Sequence, residues 1–231
     1  MSDVTRLIVV RHGNTFNSGD VILRVGSATD IPLTEKGVQQ GNAVGRDLAA
    51  AGIAVDKIFA APLLRTMRSA QEIASHYDNM DVEVADFLTE LDYGLDDGQP
   101  EDDIVLRLGI VESNGMIAPG TTLDELRAAG KAALKKWDSE AVLPRAWEHL
   151  APRVARLEKD WAELGRKMAS EFSGKTVVAV TSNGIARFSK VLLPAGEALG
   201  SNLKLATGAY GIYVYENGTW HSEQWNVRPE L

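Results

Sequence analysis

Apolar positions change their period several times along the chain. Leu7 to Val10 form an unbroken apolar run that ends on Arg11, His12 and Gly13, the pattern of a strand buried on both faces. From Thr34 to Gly52 the spacing turns helical, with Val38, Gly41, Gly45 and Leu48 on one face. The two glycines in that stripe predict a helix lying close against a sheet. KIFA (Lys57–Ala60) reads as a second short strand. The following LLRTMRSAQEIASHY reads as a helix, with Met67, Ala70, Ala74 and Tyr77 on one side. VEVA (Val82–Ala85) alternates as a third strand.

Between Asp92 and Gly120 the sequence is polar and contains glycine, which predicts an excursion above the sheet. Thr122 then stands three residues before Glu125, a capping-box pattern, and Leu123, Leu126 and Trp137 give the predicted helix a core face. Trp147, Leu150, Val154, Leu157, Trp161, Leu164 and Met168 alternate spacings of three and four. They predict a long amphipathic helix begun or interrupted at Pro152, its tryptophans serving the core or a subunit contact. KTVVAVT (Lys175–Thr181) is a strongly buried strand, followed by SNG and a helix over IARFSKVLL. GIYVY and TWHSEQW flank Asn217-Gly218, a dipeptide suited to a type I′ hairpin turn. Together these elements predict an α/β three-layer sandwich: a mostly parallel sheet flanked by helices, with a C-terminal antiparallel hairpin. The expected organisation is a single domain over 1–231, with a helical excursion at about 92–170.

Composition narrows the function classes. A 45% hydrophobic and 24% charged chain is ordinary globular protein rather than disordered. The net charge of −8 argues against a nucleic-acid partner. No window approaches the roughly 18 apolar residues of a membrane span, and the first residues lack the pattern of a secretory signal. The absence of cysteine removes disulfides, thiolate nucleophiles and thiolate metal sites together. His12, His76, His149 and His221 are too far apart for a HExxH pair. The expectation is a cytoplasmic, metal-independent protein that requires no cofactor. The tryptophan-bearing helix leaves a homodimer open.

Ligands of open α/β sheets bind beyond the carboxyl ends of parallel strands. Arg11 and His12 leave the first strand there, Arg65 follows the second and Glu90 follows the third. Ser182, Asn183 and Gly184 follow the strand VVAVT and open the next helix. Two guanidinium groups beside a helix start suit a phosphate. Asn14 and Thr15, in the loop after His12, are further candidates for phosphate contact. Arg24 is read as solvent-exposed, with a reach to a substrate's non-reacting end as the alternative.

These residues resemble the signature of the histidine phosphatase superfamily, also called phosphoglycerate-mutase-like. RHG at Arg11–Gly13, with Thr15 beyond, is similar to its opening motif. DIPLTEKGVQQG resembles the D-x-P-L-T-x-x-G-x-x-Q segment through Asp30, Pro32, Leu33, Thr34, Gly37 and Gln40. APLLRTMRSAQEIA resembles the segment of the second phosphate-binding arginine, Arg65, and LTELDYGLDDG the segment of the acid, Glu90.

The resemblance implies attack by neutral His12 on phosphorus, with a phosphohistidine intermediate. Arg11 and Arg65 would stabilise the phosphoryl oxygens, and Glu90 would protonate the leaving group. The chain departs from the pattern at VTSNGIAR, where Ser182 stands at the place of the family's second histidine. Ser182 and Asn183 can supply neutral hydrogen bonds in its stead. The leading expectation is a phosphatase acting on a small phosphorylated metabolite. A mutase-like phosphotransferase is the alternative within the same chemistry, disfavoured by the acidic LDYGLDDGQPEDD. A catalytically weak phospho-ligand-binding pseudoenzyme is the alternative raised by Ser182.

Overall fold

The structure, a computed structural model, describes residues 4–78, 80–113, 117–199 and 202–231. Its strands are β1 (Thr5–Arg11), β2 (Lys57–Ala60), β3 (Val82–Val84), β4 (Thr176–Thr181), β5 (Tyr210–Glu216) and β6 (Thr219–Val227). They form one six-stranded sheet in the order β3-β2-β4-β1-β5-β6. β3, β2, β4 and β1 run parallel, and β5 and β6 are antiparallel to their neighbours. The α/β fold with a C-terminal antiparallel hairpin is therefore the one expected. Asn217 and Gly218 take φ of +51° and +83° at the hairpin tip, both left-handed as a type I′ turn requires.

The period-two geometry of a strand sends alternate side chains of β1 and β4 into two separate cores. Ile8, Val10, Val178 and Val180 pack against Val44 and Leu48 of α1 (Glu35–Ala50) and Ala70 and Ile73 of α2 (Leu64–Ala74). Leu7, Val9, Val177 and Ala179 face the other way, towards α5 (Ala151–Glu171) with its Leu157, Trp161 and Met168. Each such side chain contributes roughly 1.5–3 kcal/mol by leaving water, so the unbroken apolar runs fix these strands at the centre. Trp137, Trp147 and Trp161 are all core residues.

Two expectations need correction. Gly41 and Gly45 do not meet the sheet; they meet the α2 backbone at Ser69 and Ile73, and Val44 and Leu48 take the sheet side. The excursion after Asp92 contains a helix, α3 (Glu101–Glu112), which buries Ile104, Val105 and Leu108. Its first turn is Glu101, Asp102 and Asp103, acids that favour a helix N-terminus but read as loop. Residues 114–116 of that stretch lie outside the described residues. Lastly, Leu123 is exposed at the start of α4 (Leu123–Glu140), which buries Leu126, Gly130 and Trp137 instead.

The predicted caps are present. Thr122 Oγ1 accepts from the Glu125 backbone N–H at 3.2 Å, and Glu125 Oε2 accepts from Thr122 N–H at 2.8 Å. A 3₁₀ turn at Arg145–Leu150 leads into α5, with Pro152 in its first turn, where the missing N–H costs no helical bond. Among the described residues, no helix is long and apolar enough to cross a membrane.

Candidate active site

Parallel pairing brings the ends of β1 and β4 together. Arg11 is in register with Thr181, and the next residue, His12, donates its backbone N–H to Thr181 O at 3.0 Å. A cavity of about 460 Å³ opens at this edge of the sheet. Arg11, His12, Asn14, Thr15, Glu90 and Asn183 line it, while Arg65 and Ser182 are buried and do not.

His12 is buried, and its Nδ1 lies 2.8 Å from Gly13 O. A carbonyl can only accept, so Nδ1 carries the hydrogen and Nε2 holds the lone pair. Burial, followed by the charges of Arg11 and then Arg65, pushes the imidazole well below its usual pKa. His12 is thus neutral at neutral pH, with the Nε2 lone pair unprotonated. Ser69 of α2 holds the loop behind it, accepting from Gly13 N–H at 3.1 Å.

The two arginines are placed differently. Arg11 donates through Nη1 to Leu205 O at 2.7 Å, and its buried Nε has no hydrogen-bond partner among the described residues. Burial lowers its pKa to about 10, leaving it charged near neutrality. Arg65 is fully enclosed; Nη1 and Nη2 donate to Thr29 O and Gly26 O, each at 3.0 Å. Its fork clasps the 26–30 loop, and its charge reaches His12 without its side chain lining the cavity.

Glu90 follows a 3₁₀ turn at Asp86–Leu88. Its Oε1 accepts from Leu91 N–H at 2.8 Å and Oε2 from Gly184 N–H at 3.1 Å. A side chain at position 184 would overlap Glu90 Oε1 and crowd the Tyr93 hydroxyl, so the glycine permits this close docking. Asn14 is tied on both sides: its N–H donates to Gln40 Oε1 at 2.7 Å, and its Oδ1 accepts from Thr207 Oγ1. Gln40 in turn donates to Thr207 O at 3.2 Å. Asn14 therefore lines the cavity and braces it. Thr15 lies beside it on the wall.

After β4, Ser182 is 1% exposed and its Oγ has no hydrogen-bond partner among the described residues. Asn183 Oδ1 accepts from Leu205 N–H at 3.0 Å. The helix expected here is shorter than its pattern suggested. α6 (Asn183–Ala186) has four residues and passes into a 3₁₀ turn at Arg187–Leu192, so it contributes little dipole to an anion. None of His76, His149 and His221 lines the cavity.

Sequence reasoning missed several cavity groups. Arg24, expected in solvent, lies over the Tyr93 and Trp147 rings at 5.2 and 4.9 Å and pairs with Glu101 at 2.7 Å. Arg187 is buried over Trp137 at 4.0 Å, donating to Asn183 O and Asp138 and also to Trp137 O. Lys204 pairs with Asp138 at 2.8 Å. The only sequence signal for Arg187 was its place in VTSNGIAR; its aromatic partner lies 50 residues away. Among the described residues, no group of three or more histidines and carboxylates could hold a metal ion.

A family model for the histidine phosphatase superfamily (branch 1) matches residues 7–109, the segment that contains Arg11, His12, Arg65 and Glu90. Solved structures share the fold at low identity. A phosphoglycerate mutase from Bacillus anthracis is 20% identical, with 97% of this chain and 94% of that one covered and a TM-score of 0.71. A phosphoserine phosphatase from Entamoeba histolytica, solved with 3-phosphoglyceric acid, is 22% identical over 96% of both chains, with a TM-score of 0.65. A mycobacterial glucosyl-3-phosphoglycerate phosphatase is 21% identical, with 97% and 99% covered and a TM-score of 0.66.

Proposed function

We propose that the chain is a member of the histidine phosphatase superfamily, whose model matches residues 7–109, and that it hydrolyses a small phosphomonoester through a phosphohistidine on His12. The observation that carries this reading is the state of His12: buried, neutral, fixed through Nδ1 and flanked by the charges of Arg11 and Arg65. Nε2 attacks phosphorus in line while the bond to the leaving oxygen breaks. Glu90, in its acid form, gives that oxygen a proton. The resulting carboxylate then takes a proton from the water that attacks the phosphohistidine, which restores His12 and releases phosphate. Arg11 meets the charge on the transferring group, and Arg65 adds its field from behind the wall. With these guanidinium groups in place, the reaction needs no metal.

Ser182 is the residue proposed to stand where the family carries its second histidine. Its short side chain leaves the phosphoryl group with fewer cationic contacts, so turnover rests more heavily on Arg11. Mutase chemistry is the second reading; on the cavity wall Glu101 pairs with Arg24, and Asp138 with Arg187 and Lys204. The test is a rapid acid or alkali quench with labelled substrate. An acid-labile, base-stable phosphate is expected on His12 and absent in His12→Ala. Label that survives in His12→Ala would overturn the assignment.

A further inference from the structure

Resting on the phosphomonoesterase reading, we infer that the 205–207 segment turns the amides of Asn14 and Asn183 onto the transferring phosphoryl group, with Thr207 as a positioning residue. The segment leads into β5, and Arg11, His12, Asn14 and Asn183 all bond to it or to the residue after it. Leu205 O accepts from Arg11 Nη1 at 2.7 Å, and Leu205 N–H donates to Asn183 Oδ1 at 3.0 Å. Thr207 Oγ1 donates to Asn14 Oδ1, and Gly208 N–H donates to His12 O at 3.1 Å. The segment is itself pinned, because Ala206 N–H donates to Asn226 Oδ1 of β6 at 2.7 Å.

These bonds decide which end of each amide is left for a ligand. A backbone N–H only donates, so the Asn183 atom that meets Leu205 is its carbonyl oxygen. Its Nδ2 bonds to no described residue, on a side chain that lines the cavity. Asn14 is held at more points. Its N–H donates to Gln40 Oε1 at 2.7 Å, and its backbone oxygen accepts from Thr34 N–H at 2.9 Å. Gln40 is oriented by that backbone donor, so its Nε2 is the atom that donates to Thr207 O at 3.2 Å. The result is a closed ring of Asn14, Gln40 and Thr207. Among the described residues the Thr207 hydroxyl has no acceptor but Asn14 Oδ1, so Asn14 too keeps its Nδ2 for the cavity.

Each amide nitrogen carries two N–H donors, on a wall shared with Arg11 and His12. Phosphoryl transfer spreads charge over the equatorial oxygens, and donors aimed in advance stabilise it without reorganising. Ser182 is not such a donor, since its buried side chain does not line the cavity. One short segment sets Arg11, Asn14 and Asn183 together, so their spacing does not depend on separate loops agreeing with one another.

The experiment uses Asn14→Asp and Asn183→Asp, each of which keeps the oxygen that meets the segment and replaces only the N–H2. Tungstate, a tetrahedral dianion, is titrated by calorimetry, and kcat/KM is read with an aryl phosphate. Each variant should bind tungstate at least about tenfold more weakly than the native protein. Each should also lose about 10²–10³ in kcat/KM. Asparagines that only brace the loop would tolerate the change, so affinity within about threefold of native in either variant overturns the inference. Thr207→Val adds no charge and releases the Asn14 amide. Tungstate affinity should fall about three- to tenfold there, and Thr207→Ser should restore it. Unchanged affinity in Thr207→Val, or no recovery in Thr207→Ser, also overturns the inference. If Thr207→Val does not fold, the two aspartate variants, which keep every bond to the segment, decide alone. Tungstate binding that follows this pattern in a protein that hydrolyses no aryl phosphate counts against the phosphatase reading alone.

Discussion

Glu90 holds two backbone N–H groups on its carboxylate, and these fix its direction before any substrate arrives. Glu90→Gln keeps the shape but cannot donate a proton to a leaving group. Turnover of alkyl phosphates should fall by roughly 10²–10⁴, and aryl phosphates, which need less protonation, should lose less; a leaving-group series checks this. Ser182→Ala removes a buried hydroxyl that bonds to no described residue. Its cost in kcat/KM should stay within about 0.5–1.5 kcal/mol, the scale of one neutral hydrogen bond, whereas Arg11→Ala should cost several times more. The sequence could bring Arg11, His12 and Glu90 to one cavity because β1 ends on Arg11 and β3 leads through one short turn to Glu90, and strand ends in such sheets converge. Arg24 and Arg187 were not, because what buries them is tryptophan and tyrosine rings far along the chain. A stacked cation leaves no local pattern in its own neighbourhood.

At the scale of elements, the sequence is clearest where a local rule acts alone. The Thr122–Glu125 cap is such a case: two reciprocal bonds predicted from four residues and found. Thr122→Ala should lower the unfolding free energy by about 1 kcal/mol, read as a shift in the urea midpoint with unchanged slope. α3 shows the opposite. Its acidic first turn satisfies a helix N-terminus yet looks like a solvated loop, and only Ile104, Val105 and Leu108 mark its buried side. α1 was found, but its glycines were assigned to the wrong neighbour. A one-dimensional stripe says which side is buried and not whether a sheet or another helix covers it.

At the scale of the whole molecule, the buried neutral imidazole links folding to pH. The pKa of His12 is well below its ordinary value of 6.5 in the folded chain, so the unfolded chain binds the extra proton. The contribution is fully present above about pH 6.5 and is lost as the pH falls below it. Urea midpoints should therefore drop between about pH 7.5 and 5.5, and His12→Asn should flatten that drop. Sequence patterns named all the strands but said nothing of their order, because pairing depends on contacts far apart in the chain. That order has a consequence for synthesis on the ribosome. β1 pairs only with β4 and β5, so Arg6 waits for Thr176, and Val10 for Tyr210. At roughly 5–20 residues per second, the apolar LIVV segment emerges about 10–30 s before its first partner. During that interval a nascent chain exposes an unpaired, sticky strand, and the loop bearing His12 has nothing to lean on. Premature release of the polypeptide anywhere before β4 should yield aggregates rather than a smaller working enzyme.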